Sequence, residues 1–368
     1  MLERENNMKK IIIFNALQTT LSGGIGRYSY ELVRELYNIY GGNIKIVVRQ
    51  EDITLFNFAK NEDLFIIKGI KNSKMRNLYE QFVLPFKINK KYPDAIVHYP
   101  DTMAPLLAKN KVVITIHDLA FKSLSNVFTK RTVFWKNIIT DLSIKKASKI
   151  IAITEFTKSE IIKHYPTLDN NKIHVVYNGF NDFSREQINL DLVNDNILNL
   201  NNKYILTVST ISPRKNIDTL IKVFSKIKNQ ISHNLVIAGA NGWLYEDVYK
   251  LVDELDLKNR VIFTGKINDE ELKYLYKNCS LFTYLSIYEG FGLPPLEALS
   301  YGINCIVSNT SSIPEVVGNN AIKVNPFDEN LIEQSIIKEI IKPTNINASD
   351  WLKNFSWVKC ARDTYAIY

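Results

Sequence analysis

Short apolar runs and amphipathic segments alternate along the first half of the chain. The runs are rich in isoleucine and valine and predict strands, whereas the longer segments repeat their apolar positions with the period of a helix. The predicted strands are residues 10–16, 43–49, 94–99, 111–117, 149–153 and 172–177, and the predicted helices are residues 26–40, 76–89, 130–147 and 155–164. Strands that alternate with helices of this length indicate βαβ units and a parallel sheet.

The alternation stops over residues 181–202, which are rich in Asn, Asp and Leu, and then begins again. A second set of strands is predicted at residues 204–209, 234–238, 260–264, 280–284, 304–308 and 321–324. The pattern therefore predicts a first domain over residues 1–180, a linker over 181–202 and a second domain over 203–354. Both domains are expected to be Rossmann-like, α/β and doubly wound, with ligands bound beyond the carboxyl ends of the strands in a cleft between the domains.

Composition is consistent with two globular domains. The chain has 368 residues, of which 46% are hydrophobic and 23% charged, as in ordinary soluble proteins. No apolar run reaches the roughly 18 residues of a membrane span, and the charged start does not resemble a signal peptide. Cys279, Cys305 and Cys360 show neither metal-ligand spacing nor a disulfide framework, so a cytoplasmic location is expected.

Basic residues are concentrated in the first half. Residues 1–180 contain 27 Lys/Arg and 16 Asp/Glu, and the remainder contains 19 and 22. This excess indicates either an anionic partner or a solvated lysine-rich surface. Residues 74–91 also interleave basic and bulky apolar side chains. They are expected to lie on an anionic membrane surface or a lipid-phosphate acceptor, or else to form a packing helix with a basic outer face.

Three glycines, at positions 23, 24 and 26, follow the first predicted strand. Their spacing differs from the G-x-G-x-x-G fingerprint of dinucleotide-binding domains, and no acidic residue closes the second strand. A nicotinamide cofactor is therefore not expected. The loop is either a structural turn or a backbone segment that approaches a ligand, and the number of glycines favours a ligand.

The segment Glu289-Gly-Phe-Gly-Leu-Pro-Pro-Leu-Glu297 is the most informative motif of the chain. It follows a predicted strand and opens a predicted helix, so its amides favour a phosphate and its two carboxylates favour hydroxyl groups. Arg214 and Lys215 stand at an equivalent strand end and are suited to hold a diphosphate. Two carboxylates are also the acid/base pair of glycosidases, but here both are expected to address one ligand.

These motifs resemble those of the family 4 glycosyltransferases, which are retaining enzymes of the GT-B fold that use nucleotide sugars and carry a Glu-x7-Glu motif. The resemblance covers nearly the whole chain and includes the glycine-rich loop, Ile116-His-Asp-Leu119 and Val175-Val-Tyr-Asn-Gly-Phe180. It implies that residues from about 355 onward return to the first domain.

The resemblance also implies a role for each motif residue. Glu289 and the backbone of Gly290, Phe291, Gly292 and Leu293 would bind the donor sugar, and Glu297 would bind the ribose hydroxyls. Arg214 and Lys215 would stabilise the departing diphosphate. Gly24 would lie near the phosphates and His117 near the donor sugar. The chain has no Asp-x-Asp sequence, so neither a metal nor another cofactor is expected.

The sequence thus predicts a retaining hexosyltransferase of cell-surface polysaccharide synthesis. The resemblance is nearest to the mannosyltransferase branch that uses GDP-mannose, and it implies a glycan or lipid-linked acceptor at the inner membrane face and no nucleic-acid partner. One alternative is a UDP-N-acetylglucosamine 2-epimerase on the same architecture, which needs no acceptor. Another is a non-catalytic protein of this fold that binds a glycan or a protein.

Overall fold

The computed structural model describes residues 10–21, 24–124, 129–200 and 203–368. The chain forms two compact units. The first contains the residues up to Gly179 together with Phe355–Tyr368, and the second contains Phe180–Asn354.

A parallel sheet forms the centre of the first unit. Its strands, in the described part of the chain, are β1 (Ile12–Asn15), β2 (Ile44–Arg49), β3 (Leu64–Ile67), β4 (Ile96–Tyr99), β5 (Lys111–Ile116), β6 (Lys149–Ala152) and β7 (Ile173–Val175). They are arranged in the order β3-β2-β1-β4-β5-β6-β7. The chain reverses its direction of winding between β1 and β4, which makes this junction the place where a doubly wound sheet binds ligands.

Helices cover both faces of this sheet. They are α1 (Gly24–Tyr40), α2 (Ser73–Phe82), α3 (Leu84–Lys91), α4 (Ala120–Ser123), α5 (Lys130–Lys146) and α6 (Glu155–His164). Helix α1 buries Tyr28, Leu32, Val33 and Leu36 against the strands, as its helical repeat of apolar positions predicts.

One predicted helix, residues 76–89, is interrupted. The structure has α2 and α3 instead, separated at Val83. Pro85 is the physical cause, because proline has no N–H group to donate and its ring is tolerated only in the first turn of a helix. Proline therefore begins a second helix here rather than continuing the first.

The second unit repeats the architecture with a six-stranded parallel sheet in the order β10-β9-β8-β11-β12-β13. Its strands are β8 (Tyr204–Val208), β9 (Asn234–Ala238), β10 (Val261–Gly265), β11 (Leu281–Tyr284), β12 (Cys305–Ser308) and β13 (Ile322–Val324). Its helices in the described residues are α7 (Asp195–Leu198), α8 (Ile217–Ile227), α9 (Glu246–Glu254), α10 (Asp269–Asn278), α11 (Leu293–Ser300), α12 (Ile313–Val317), α13 (Glu329–Ile341) and α14 (Ser349–Leu352).

The segment interpreted as a linker, residues 181–202, is not a bare connection. Its described part lies in the second unit and contains α7. Val193 and Ile197 are 6% and 5% exposed and join the core of that unit. The apolar residues are too widely spaced among Asn and Asp for a sequence pattern to reveal this packing.

The last helix, α15 (Trp357–Ile367), packs against α1 in the first unit. Tyr365 stacks on Tyr40 with 3.5 Å between ring centroids. Gly179 lies directly under Trp357, and a Cβ atom at position 179 would come within 2.4 Å of the Trp357 backbone nitrogen. Glycine is therefore required where the chain leaves the first unit, because any side chain would displace Trp357.

Among the described helices, none has the length and the apolar character needed to cross a membrane.

Candidate active site

The candidate site of the second unit lies at the junction of β8 and β11, where the order of the strands reverses. Arg214 and Lys215 lie in a 3-10 turn, Pro213–Lys215, shortly after β8. Glu289 follows β11. A hydrogen bond from the Ile287 amide to the carbonyl oxygen of Arg214, at 2.8 Å, joins these segments, and Ser286 Oγ lies 3.0 Å from the same oxygen. The sequence-predicted residues of both strand ends therefore meet at one place.

Glu289 is the centre of a cluster that it forms with Arg214 and Lys215. Its Oε2 atom accepts a hydrogen bond from Arg214 Nη1 at 3.0 Å. Its Oε1 atom accepts from Tyr284 at 2.9 Å, from Ser286 at 2.6 Å and from the ammonium group of Lys215. The carboxylate is 7% exposed. A buried carboxylate of this kind is stable because it is paired with two cations and accepts several hydrogen bonds.

The electrostatic result is a carboxylate that stays ionised. Burial by itself would raise the pKa of Glu289, but the charges of Lys215 and Arg214 and the hydrogen bonds of Lys215 and Ser286 outweigh it and lower the pKa to about 2. A glycosidase general acid needs the opposite shift, toward neutral pH. Glu289 is therefore unsuited to donate a proton at neutral pH.

The cluster as a whole remains positive. Two cations pair with one anion, so these three side chains together carry a formal charge of +1. Arg214 is also held by the carbonyl oxygen of Tyr288, which accepts from Nη1 at 2.9 Å. The cations are thus oriented before any ligand arrives, and a positive site with fixed donors is suited to a phosphate group.

The turn after Glu289 is tied to the loop that precedes α12. Ser312 Oγ lies 2.9 Å from the carbonyl oxygens of both Glu289 and Phe291, which share its one hydroxyl proton. Gly292 has a φ of +105°, and a Cβ atom there would come within 2.5 Å of Ile313. Only glycine combines this backbone conformation with so little space. The turn is therefore built with little tolerance for substitution.

Helix α11 begins at Leu293, directly after this turn. Pro294 and Pro295 lie in its first turn and carry no N–H group. The amide donors at this helix start therefore come from Gly292 and Leu293 rather than from a full turn. The predicted phosphate-binding site at this helix start therefore consists of these few amides together with the neighbouring cations.

Glu297, the second carboxylate of the motif, lies within α11 and is also 7% exposed. The hydroxyl of Tyr276 donates to its Oε2 atom at 2.9 Å. Burial, and then the charge of Glu297, raise the pKa of Tyr276, so this hydroxyl keeps its proton and remains a donor. Each glutamate therefore accepts from its own tyrosine, and Glu289 is the one seen paired with Arg214 and Lys215.

His117 lies in the first unit, immediately after β5. Its Nε2 atom is 3.0 Å from the carbonyl oxygen of Pro100, which can only accept, so Nε2 carries the proton and Nδ1 is the acceptor. The ring packs edge-on against Tyr28 of α1, with 4.7 Å between centroids. Burial lowers the pKa of His117 despite the opposing effect of the Pro100 carbonyl, which favours the neutral ring. Asp118 caps the next turn by accepting from the Ala120 amide at 3.0 Å.

The glycine-rich segment extends into the first turn of α1, where Gly24 and Gly26 lie, and the structure describes these two of its three glycines. Gly24 begins the helix, and a Cβ atom there would meet no atom within 4 Å. At Gly26 a Cβ atom would come within 2.1 Å of Thr20 Oγ1. Gly26 is thus required by packing, whereas Gly24 has open space around it. Gly23 lies outside the described residues.

Sequence reasoning did not identify Tyr276, Tyr284 or Ser286 as part of the site. The two tyrosines lie eight positions apart, as do the two glutamates, and this repeated spacing is the signal that was available. In the parts of the chain that the structure describes, no group of three or more His, Cys, Asp or Glu side chains could hold a metal ion. Metal-independent chemistry remains a prediction.

The sequence matches two protein families, one in each half of the chain. Residues 22–182 match Glycosyltransferase Family 4, and residues 191–347 match Glycosyl transferases group 1. The O-antigen chain mannosyltransferase B of Escherichia coli is 28% identical to the chain, over 98% of the chain and 99% of that protein. The O-antigen chain mannosyltransferase RfbU of Salmonella typhimurium is 32% identical, over 64% of the chain and 62% of that protein.

A solved structure shows the same fold over nearly the whole length. Anabaena Alr3699/HepE, crystallised in complex with UDP and glucose, superposes with a TM-score of 0.72 at 18% sequence identity, over 97% of the chain and 98% of that protein. Two parallel-sheet domains with this strand order are the GT-B architecture expected from the sequence. The chain therefore belongs to the family 4-type glycosyltransferases of the GT-B fold.

Proposed function

We propose that the protein is a retaining mannosyltransferase that transfers mannose from GDP-mannose to a growing glycan or lipid-linked acceptor of a surface polysaccharide. The observation that carries this proposal is the cluster of Arg214, Lys215 and Glu289 at the β8/β11 junction. Similarity to two O-antigen mannosyltransferases supports mannose as the transferred sugar. GDP as the nucleotide is the expectation from the sequence motifs.

The two cations would hold the diphosphate and stabilise the charge that develops on it as it departs. Glu289 Oε1 already accepts three hydrogen bonds, whereas Oε2 accepts one, from Arg214. A carboxylate offers about four acceptor positions, so Oε2 is the atom suited to accept from a sugar hydroxyl.

The remaining predicted residues complete the donor site in this proposal. Glu297 would accept from the ribose hydroxyls, and the backbone from Gly290 to Leu293 would bind the sugar and the phosphates. In the first unit, Gly24 would lie near the phosphates and His117 near the donor sugar. The open space around Gly24 and the neutral ring of His117 are compatible with these roles.

The reaction would retain the configuration at the anomeric carbon. The acceptor hydroxyl oxygen would form the new bond to this carbon on the face from which the diphosphate departs. The bond between the carbon and the diphosphate oxygen breaks, and that oxygen takes the proton of the acceptor. Arg214 and Lys215 would supply the positive charge that a metal supplies in other transferases.

A panel of nucleotide sugars tests the donor first. At equal concentration, a ligand that binds more tightly raises the unfolding temperature more, so GDP-mannose is expected to stabilise the protein more than UDP-glucose or UDP-N-acetylglucosamine. Release of GDP is then measured with and without a polyprenol-linked glycan. Release that depends on the acceptor supports the transferase. Release of UDP without an acceptor supports the epimerase, and no nucleotide binding at all supports the non-catalytic alternative.

We also propose that α2, α3 and α5 of the first unit bind an anionic membrane surface. Residues 68–91 contain seven Lys/Arg and one acidic residue, the buried Glu80. Exposed apolar side chains lie among them, and the neighbouring helix α5 adds two exposed aromatic rings. The apolar side chains of this basic apolar surface are Met75, Leu78, Phe82, Phe86, Phe134 and Trp135, which are 42% to 61% exposed.

One loop connects the two parts of this surface. Gln81 of α2 donates to the carbonyl oxygen of Ala104, and the Ala104 amide donates to Ser143 of α5. Basic side chains around exposed aromatic rings are typical of helices that lie in an anionic interface. Such a surface would bring the enzyme to a lipid-linked acceptor.

Sedimentation with vesicles tests the surface. The protein is expected to bind phosphatidylglycerol vesicles but not phosphatidylcholine vesicles, and less at high salt. Replacing Phe82 and Phe86 with serine should weaken binding about tenfold or more, since each buries a large apolar area. Ile341→Ser is the matched control, because Ile341 is 75% exposed but lies in the second unit. Equal binding by all three proteins would contradict the proposal.

A further inference from the structure

Two buried tyrosines repeat the eight-residue spacing of the two glutamates. Tyr276 lies in α10 and Tyr284 ends β11. The Tyr276 hydroxyl donates to Glu297 and the Tyr284 hydroxyl donates to Glu289, at 2.9 Å in both cases. Each carboxylate of the motif therefore accepts a hydrogen bond from one buried tyrosine hydroxyl.

We infer that Tyr276 and Tyr284 are positioning residues that fix the two glutamates for two different parts of the donor, Glu297 for the nucleoside and Glu289 for the sugar. This inference rests on the proposed function, because the ligand is the nucleotide sugar proposed above.

The burial of both hydroxyls makes them effective donors. Tyr276 and Tyr284 are 2% and 3% exposed. Burial and the adjacent carboxylates raise the pKa of both phenols, so each keeps its proton at neutral pH. A hydrogen bond to a buried carboxylate is stronger than one between neutral groups. Each tyrosine therefore restricts the orientation of its carboxylate.

Tyr284 has a second contact that Tyr276 lacks. Its oxygen accepts from Lys215 Nζ at 2.8 Å, and the Lys215 ammonium lies 5.1 Å from the centroid of its ring. Lys215 also pairs directly with Glu289, and this pair is expected to persist when the Tyr284 hydroxyl is removed. Loss of the Tyr284 hydroxyl should therefore affect the orientation of Glu289 more than the charge that faces the diphosphate.

Tyrosine-to-phenylalanine variants separate the two roles, because phenylalanine keeps the ring in the core. The dissociation constants of a nucleoside diphosphate and of its intact sugar donor are measured by calorimetry, without an acceptor. Two pairs of probes are used, GDP with GDP-mannose and UDP with UDP-glucose. Only the intact donor contains the sugar, so the ratio of the two constants reports the contribution of the sugar.

Tyr284→Phe is expected to weaken binding of the intact donor about tenfold and binding of the nucleoside diphosphate by less than about twofold. Tyr276→Phe is expected to weaken binding of both ligands by the same factor, about tenfold. Tyr204→Phe is the control. Tyr204 is 2% exposed in the same unit, and its hydroxyl donates to the Leu275 carbonyl at 2.9 Å. It should lose thermal stability to a similar extent but keep both constants.

Two outcomes would overturn this inference while the proposed function stands. In one, Tyr284→Phe changes the dissociation constants of both ligands by the same factor. In the other, the dissociation constants of neither variant differ from those of Tyr204→Phe. If the wild-type protein binds neither pair of probes, the proposed function itself is wrong, and the assignment of the tyrosines to a nucleotide sugar is wrong with it.

Discussion

Replacing Glu289 with glutamine should make the stability of the protein less dependent on pH. The variant keeps the shape of the side chain but removes the charge that Arg214 and Lys215 surround. In the folded protein the pKa of Glu289 is about 2, compared with an ordinary value of 4.5. Because folding lowers this pKa, ionisation of Glu289 stabilises the folded state fully above pH 4.5, and that stabilisation is lost as the pH falls toward 2.

The size of the effect follows from the difference in pKa. One pKa unit corresponds to about 1.4 kcal/mol, so the ionised carboxylate contributes about 3 kcal/mol at neutral pH. Between pH 6.5 and pH 3.5 the wild-type protein should lose about 1 kcal/mol of this contribution, whereas Glu289→Gln loses none of it. The gap in unfolding free energy between the two proteins should therefore narrow by about 1 kcal/mol.

Urea unfolding at the two pH values measures this gap. Both proteins share every other titrating group, so the difference between them isolates Glu289, provided that the denaturant dependence of the transition is unchanged. Glu254→Gln is a suitable control, since Glu254 lies exposed at the end of α9 in the same unit. A gap between wild type and Glu289→Gln that stays constant from pH 6.5 to pH 3.5 would show that the cations do not hold this carboxylate ionised.

Three further results are expected. Glu297→Ala should mainly weaken nucleotide binding and Glu289→Ala should mainly reduce turnover; equal effects of both variants on KM and kcat would contradict this division. Transfer should persist in EDTA, because fixed cations replace the metal, and complete loss of activity would show that a metal takes part. Gly26→Ala should destabilise the first unit by about 1–3 kcal/mol because its Cβ collides with Thr20. Gly24→Ala should change the unfolding temperature little, since its Cβ meets no atom within 4 Å. Similar losses of stability in both variants would show that Gly24 is not surrounded by open space.

Much of the fold is visible in the sequence because both sheets are parallel and buried. Strands β5 and β9 contain the apolar runs Val112–Ile114 and Leu235–Ala238 within their predicted ranges, as expected for strands covered on both faces. The pattern does not predict β3, Leu64–Ile67, which lies at the edge of its sheet. A four-residue apolar run beside 3-10 turns cannot be assigned by periodicity alone.

The charged residues of the site were predictable from the sequence, whereas the contacts among them were not. Arg214, Lys215 and Glu289 could be grouped because equivalent strand ends meet where a doubly wound sheet reverses its order. The sequence pattern did not show that Glu289 is bonded directly to both cations, because this depends on side-chain geometry. Tyr284 belongs to an apolar strand in the sequence, and only the structure shows its hydroxyl between Lys215 and Glu289.

Turnover by Arg214→Ala is the most direct test of the claim that fixed cations stabilise the departing diphosphate. Release of GDP from GDP-mannose is measured at saturating donor with the acceptor present, for wild type and variant. Removing one donor of charge stabilisation from a transition state costs about 10² to 10³ in rate, so kcat should fall by that factor while the fold persists. A variant that turns over within about threefold of the wild type would contradict the assignment of this cluster to catalysis.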